Sequence, residues 1–307
     1  MAVSAAKPGG APLLTVPSNV KIRRAANNVM TGLLWLCACG VVLMLALLVG
    51  YLFYLGYGAL SWHFITAPPS EVTAGGGIGP EIFNSFYILC LTLIFTVPIA
   101  LLSGIYLQEY AKSGRFRQIV IFCAESLATV PSIVMGLFGL LVFVYLLGWK
   151  FSALGGALTL TVVNLPALMR VTQEALGSVP DTYREASMGL GATRWQTVAH
   201  VVIPSAVAPL ITGIVLISGR IFGETAALIY TAGLSVSVNN PYDWSLFHTA
   251  ETLAVHLWYT HSESLVPDVA RIGNGSALVL LIMVLLFNIA ARFLGRALSA
   301  RFTGRVS

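Results

Sequence analysis

Apolar residues gather in six long runs, at about 29–57, 82–108, 118–147, 153–176, 205–232 and 274–295, parted by short stretches rich in glycine, proline and charge. About 20 consecutive apolar residues carry a helix across a hydrocarbon layer ~30 Å thick. Each run therefore predicts one span, and the expected fold class is an all-α integral membrane protein with six transmembrane helices. Pro98, Pro131, Pro166 and Pro209 fall in or beside these runs. Neighbouring helices can satisfy the backbone groups that a membrane proline frees, so kinks are expected there rather than ends. The first run is too long for a signal-peptide core and no small-residue cleavage site follows it, so it is expected to be retained. No internal repeat is visible.

Composition agrees: 57% of residues are hydrophobic and 9% are charged, where soluble domains carry about 25% charge. The net charge of +5 invites a nucleic-acid reading, but its placement argues for membrane orientation instead. Lys7, Lys21, Arg23 and Arg24 precede the first run; Lys112, Arg115 and Arg117 follow the second; Arg170, Arg184 and Arg194 hold or border the connection after the fourth; Arg292, Arg296, Arg301 and Arg305 close the chain. The other side holds only Lys150 and Arg271. By the positive-inside rule both termini are cytoplasmic. The expected organisation is a flexible tail over 1–27, a membrane domain over 28–300 with an inner loop at 181–204 and an external loop at 233–268, and a short tail at 301–307. Cys37, Cys39, Cys90 and Cys123 all lie in apolar runs without metal spacing, and read as small buried hydrophobes.

One stretch breaks the apolar pattern: SGRIFGETAAL, 218–228. With 205–232 as one helix, Arg220 lies roughly 22 Å from its cytoplasmic start, near mid-bilayer. A cation there costs about 2.5–3.5 kcal/mol on insertion scales. Glu224 at i+4 shares its face and partly neutralises it. Gly219 and Gly223 form a GxxxG stripe that admits a second helix backbone. Either the pair is a structural tie between helices, which an apolar pair would make at lower cost, or it belongs to a solute path. A guanidinium suits oxyanions because it offers planar, bidentate hydrogen bonds. A neighbouring Glu keeps such a site weak enough for release. Thr225 adds a hydroxyl.

The inner loop VPDTYREASMGLGATRWQTVAHVVIP, 179–204, predicts two short helices broken at Gly189 and Gly191. Its Glu185-Ala186-Ser187, three residues, Gly191, nine residues, Val201-x-Ile203-Pro204 resembles the EAA signature of ABC-importer permeases. GGGIGPEIFNSF (75–86), ATVPSIVMGLFGLLVF (128–143), SGRIFGETAALIYTA (218–232) and TLAVHLWYTHSES (252–264) further resemble phosphate-transporter permeases of PstA type. The resemblance runs from about residue 60 to the C-terminus, with Glu81 and Asn84-Ser85 in place of the smaller residues of that pattern. It implies a type I ABC importer permease of a bacterial cell membrane. It also implies a sister permease of PstC type, two ATPase subunits of PstB type and an external phosphate-binding protein of PstS type. Tyr183, Arg184, Glu185, Ala186 and Gly191 would contact an ATPase, and Arg220, Gly223, Glu224 and Thr225 would lie beside the phosphate path. Sulfate, molybdate or phosphonate remain alternative solutes, and an autonomous secondary transporter a further one.

No GxxxxGK[ST] stretch occurs in the sequence, so no ATPase site or cofactor is expected in this chain, and ATP and Mg belong to the partner ATPase. Three fainter signals remain. Leu246, Ala250, Leu253 and Leu257 suggest an interfacial helix near 245–259. His248, His256 and His261 read as exposed histidines rather than a metal site. Arg170 reads as a snorkelling end residue or an aid to solute exit, Glu125 as interfacial, and Asn164 as an interhelical hydrogen-bonder.

Overall fold

The computed structural model describes residues 20–70, 73–111, 114–237, 240–263 and 266–303, with side chains described between 22 and 297 of these. The expectations for Lys7, Lys112, Arg305 and most of both tails lie outside that set, as do the side chains of Lys21 and Arg301. Every long element among the described residues is helical; the one extended pairing is an isolated bridge between Val236 and Ala250.

Among the described residues, 20–53 make a unit of their own. Helix α1, Val20–Gly56, begins inside the stretch read as a tail. Its 37 residues give a rod about 55 Å long, more than a hydrocarbon core requires. Its apolar side chains, such as Leu34, Leu43 and Leu47, are exposed, as suits a helix whose solvent is lipid.

The second unit, from Tyr54 on, holds the core. Short α2, Trp62–Thr66, is capped by Ser61 and leads to α3, Gly79–Ile105, which continues through a wider turn, Tyr106–Tyr110. Helix α6, Ala153–Gly177, is capped by Ser152 and lies along α3. Small residues permit this: a Cβ built at Gly104 would stand 2.6 Å from Thr172 Cβ. Without a hydrophobic drive between helices in lipid, such close backbone approach is what holds them. Thr96 and Thr161 hydroxyls meet at 3.2 Å across the same seam. Helix α9, Ile203–Phe222, packs on α6 and on α12, Val269–Thr303. Pro98, Pro166 and Pro209 all sit inside continuous helices.

Five helices are long and apolar enough to cross a membrane, and a sixth crossing exists if one bent pair is counted. That pair corrects the expectation that Pro131 only kinks a span over 118–147. Helix α4, Arg115–Ala128, and α5 with its wider-turned extension, Ser132–Leu146, meet at 99°. The helix stops because Pro131 has no amide hydrogen to donate, and the Thr129 hydroxyl instead donates back to Ser126 O at 2.7 Å. The carbonyl of Pro131 then starts α5, accepting from Val134 and Met135.

Two other expectations change. The span over 205–232 is not one helix. The helical rod runs Arg194–Phe222 and stops at Gly223. The chain then turns into α10, Ala226–Ile229, which packs against α5 where Gly136 meets Ala227. The rod already exceeds a bilayer's needs, so residues 223–232 need not continue it. The interfacial helix expected near 245–259 is also displaced. Helix α11 is Leu253–Ser262, and its Leu253, Val255 and His256 are buried against α3 and α12 rather than lying on a surface. Asn164 bonds its own helix, at Leu160 O, rather than a neighbour. The four cysteines are exposed on the isolated chain, not buried.

Candidate functional site

The loop after α6 folds as α7, Asp181–Gly189, and α8, Arg194–Thr197, which runs on through a wider turn into α9. Gly191 sits between them at φ +87, a left-handed conformation that costs glycine little and other residues more. Thr193 and Gln196 form a reciprocal capping box at the start of α8. Ser187 Oγ and Thr197 Oγ1, 2.9 Å apart, tie the two helices together. The outer face of this hairpin is apolar and open: Tyr183, Met188, Leu190 and Trp195 are all exposed, Leu190 to 90%. Glu185 and Ala186 are exposed beside them.

Arg184 departs from that face. Its Nη2 and Nε donate to Glu109 at 2.6 and 3.2 Å, Nη1 donates to Val179 O at 2.6 Å, and Nη2 also donates to Leu176 O at 2.9 Å. The two side chains are 14% and 6% exposed. The hydrogen bonds to Glu109 raise the Arg184 pKa further above its usual value and keep it charged. Arg184, one of the residues that the resemblance places at an ATPase contact, pins α7 to the end of α3. Two more arginines reach that end: Arg117 Nε donates to Leu107 O at 3.2 Å, and Arg194 lies 5.4 Å over the Tyr110 ring. Sequence reading missed Glu109 because its partner is 75 residues away; a lone Glu at the end of an apolar run was the only signal.

At the far end of α9, Arg220 lies in the helix's last turn and is exposed. The carbonyl end of a helix favours a cation. Because the helix ends at Phe222, Glu224 is not one turn further along the same face. No ion pair joins it to Arg220 among the described residues. Glu224 Oε1 instead accepts a long bond, 3.4 Å, from Ala227 N in α10, and Thr225 Oγ1 donates to Gly223 O at 3.5 Å. Gly219 faces Asn288 of α12, with 3.5 Å from a built Cβ to its amide, whereas Gly223 has little beside it. The GxxxG stripe is thus a contact at one glycine and a helix stop at the other.

Arg170 carries two ion pairs, with Glu125 of α4 at 2.8 Å and Glu174 at 2.9 Å. All three are exposed, and Arg170 and Glu125 border a cleft of about 170 Å³ between α4 and α6. Glu125 is therefore a partner of Arg170 and not only an interfacial residue. The three histidines do not converge. His248 Nδ1 contacts Ser245 O, and His261 Nδ1 contacts Leu257 O at 3.0 Å. His256 is buried beside Glu251 and Glu81, which corrects its reading as exposed.

The helical membrane body with its short helical hairpin has the fold of type I ABC importer permeases. One similar solved structure is a bacterial ABC transporter involved in import of the acidic polysaccharide alginate. It matches at TM-score 0.64 and 15% identity, covering 90% of this chain and 99% of that one. The MetNI methionine ABC transporter matches at TM-score 0.56 and 19% identity, covering 72% and 94%.

Residues 96–304 match the binding-protein-dependent transport system inner membrane component family, and the chain belongs to it. It is a multi-pass permease component of an ABC importer and is not itself catalytic. Among curated relatives, the probable ABC transporter permease protein YqgI of Bacillus subtilis is 44% identical, covering 92% of this chain and 99% of that protein. The phosphate transport system permease protein PstA of Xylella fastidiosa is 35% identical, over 78% and 80%. The PstA of Mycobacterium leprae is 33% identical, over 89% and 90%.

Proposed function

We propose that this chain is a PstA-type permease that moves inorganic phosphate into the cell, paired with a PstC-type sister permease. Two PstB-type ATPases bind the α7–α8 hairpin, a PstS-type binding protein delivers phosphate from outside, and both termini are cytoplasmic. The observation that carries the solute is Arg220: a guanidinium at the end of a membrane helix, exposed on this chain and without an ion-pair partner among its described residues. An unneutralised cation beside lipid is costly, so in the assembled transporter it faces a sister subunit or an aqueous path. An oxyanion passing there accepts two parallel hydrogen bonds from it. The names of the PstA relatives support phosphate among the oxyanions.

The motor acts at the other end of the molecule. ATP binding draws the two ATPases together, and they carry the hairpin with them. Because Arg184 and Glu109 fasten α7 to α3, movement of the hairpin passes to a core helix rather than dissipating in a loop. The paired permeases then open outward, and inward opening follows hydrolysis, as rigid bodies rocking about their seam. Glu185, Ala186 and Gly191 sit on the docking side of the hairpin, and Arg170 borders a cleft that would serve solute exit.

Reconstituted vesicles containing the whole transporter and its binding protein test the reading. ATP-dependent uptake of labelled phosphate should survive excess sulfate and molybdate. Uptake that either competitor suppresses as well as unlabelled phosphate does would overturn the solute assignment.

A further inference from the structure

Glu81, Glu251 and His256 come together at the end of the core opposite the α7–α8 hairpin. Glu81 lies in the first turn of α3, Glu251 just ahead of α11 and His256 in its first turns. All three are buried, Glu81 completely. His256 Nδ1 lies 3.0 Å from Glu251 Oε1 and 3.9 Å from Glu81 Oε1. One donor atom from each residue falls within 4.8 Å of the others.

Hydrogen bonding within the trio does not account for it. His256 and Glu251 satisfy one another at Nδ1, yet both carboxylate oxygens of Glu81 lack a hydrogen-bond partner, and so does His256 Nε2. A fully buried carboxylate with neither oxygen bonded is among the costliest arrangements a core can hold. A proton, a water or a cation has to meet it.

We infer that Glu81, Glu251 and His256 bind a divalent transition-metal ion, which fastens the start of α3 to the segment entering α11. Two carboxylates and a neutral imidazole sum to two negative charges, which a dication cancels. Ligand atoms about 2.1 Å from a metal stand roughly 3.0–3.5 Å apart in a tetrahedral shell, so the trio, with His256 Nδ1 3.0 and 3.9 Å from the two carboxylates and no separation beyond 4.8 Å, needs to contract by at most about 1.3 Å. One imidazole nitrogen with two carboxylates selects zinc, manganese, iron or cobalt over the all-oxygen preference of calcium and magnesium. The frame around the ligands is already tied. Ser85 Oγ donates to Glu81 O at 2.7 Å and accepts from Leu253 N at 2.9 Å. Asn84 Nδ2 donates to Glu251 O at 3.1 Å. The backbones that present all three ligands are therefore held before any ion arrives.

The test uses the assembled transporter, purified in detergent without chelator or nucleotide. Elemental analysis should find about one zinc, manganese or iron per copy of this chain. After chelation and dialysis, Co²⁺ should restore visible d–d absorption, and Zn²⁺ should raise the thermal midpoint. Glu81→Gln and His256→Gln should each abolish the Co²⁺ bands and the Zn²⁺ shift. If neither variant assembles, metal content and the Co²⁺ spectrum of the unaltered complex decide the matter. Less than about a tenth of an ion per chain, with no Co²⁺ bands, overturns the inference, as do bands that persist unchanged in both variants. Phosphate uptake is not the readout, so the result stands apart from the solute assignment.

Discussion

Arg184 and Glu109 join two helices, α7 and the end of α3, through a guanidinium and a carboxylate 2.6 Å apart and almost out of solvent. Breaking one partner of such a pair strands the other, at a cost of about 3–5 kcal/mol. Arg184→Gln should lower the thermal midpoint of the purified transporter accordingly. Adding Glu109→Gln should recover part of the loss, because the stranded charge is then gone. A double-mutant cycle with no coupling energy would mean that the pair does not fasten the hairpin.

Leu190 separates docking from folding. It is 90% exposed and contributes little to this chain's own packing. Leu190→Asp should leave the permease pair's midpoint unchanged while the ATPase subunits dissociate on size-exclusion chromatography. An intact, ATPase-loaded complex would show that the apolar face of the hairpin is not where the motor sits.

Gly191 distinguishes backbone from surface at the same hairpin. Its φ is +87 and a built Cβ meets nothing within 4 Å. Gly191→Ala should therefore cost about 1–2 kcal/mol of backbone strain, seen as a modest fall in midpoint with coupled ATPase activity retained. Gly191→Trp adds bulk on the docking side and should uncouple or release the ATPase. Equal behaviour of the two variants would remove the docking role.

At Gly104 the same substitution has the opposite cause. A Cβ would stand 2.6 Å from Thr172 Cβ and 3.1 Å from Met169 O, so Gly104→Ala overpacks the α3–α6 seam. A loss of about 1–3 kcal/mol is expected, read as a lower midpoint in thermal denaturation of the complex.

Arg220→Gln should abolish phosphate uptake while assembly and basal ATPase activity survive, since the side chain is exposed on this chain. Arg220→Lys keeps the charge but loses the planar fork, and should retain a fraction of transport. Unchanged uptake in the glutamine variant would take Arg220 off the path.

Sequence periodicity located the membrane helices because apolar length is a strong signal: α6, expected over 153–176, runs Ala153–Gly177. The break between α7 and α8 was equally legible, in two glycines flanking a leucine. Proline was a poorer guide. Pro98 and Pro166 lie within unbroken helices that pack on each other along their length, whereas Pro131 coincides with a right-angled break. The difference is tertiary: neighbours hold a helix together across a proline, and no short window of sequence shows them. The same limit hid Glu109 and the Glu81–Glu251–His256 trio, whose members meet only after 75 or about 170 residues of chain have folded between them. Arg220 and Glu224 erred the other way. Spacing of four implied one helical face, but Gly223 ended the helix between them.

The right angle between α4 and α5 has a mechanical meaning. A straight rod crossing a membrane can only tilt, slide or rotate as a whole. Two arms joined at a corner can swing independently, so that one stays seated against α10 and α6 while the other travels. Because Glu125 rides on the first arm and Arg170 on α6, such a swing would stretch or release that ion pair and change the mouth of the cleft beside it, with no need to disturb the tightly sewn seam between α3 and α6.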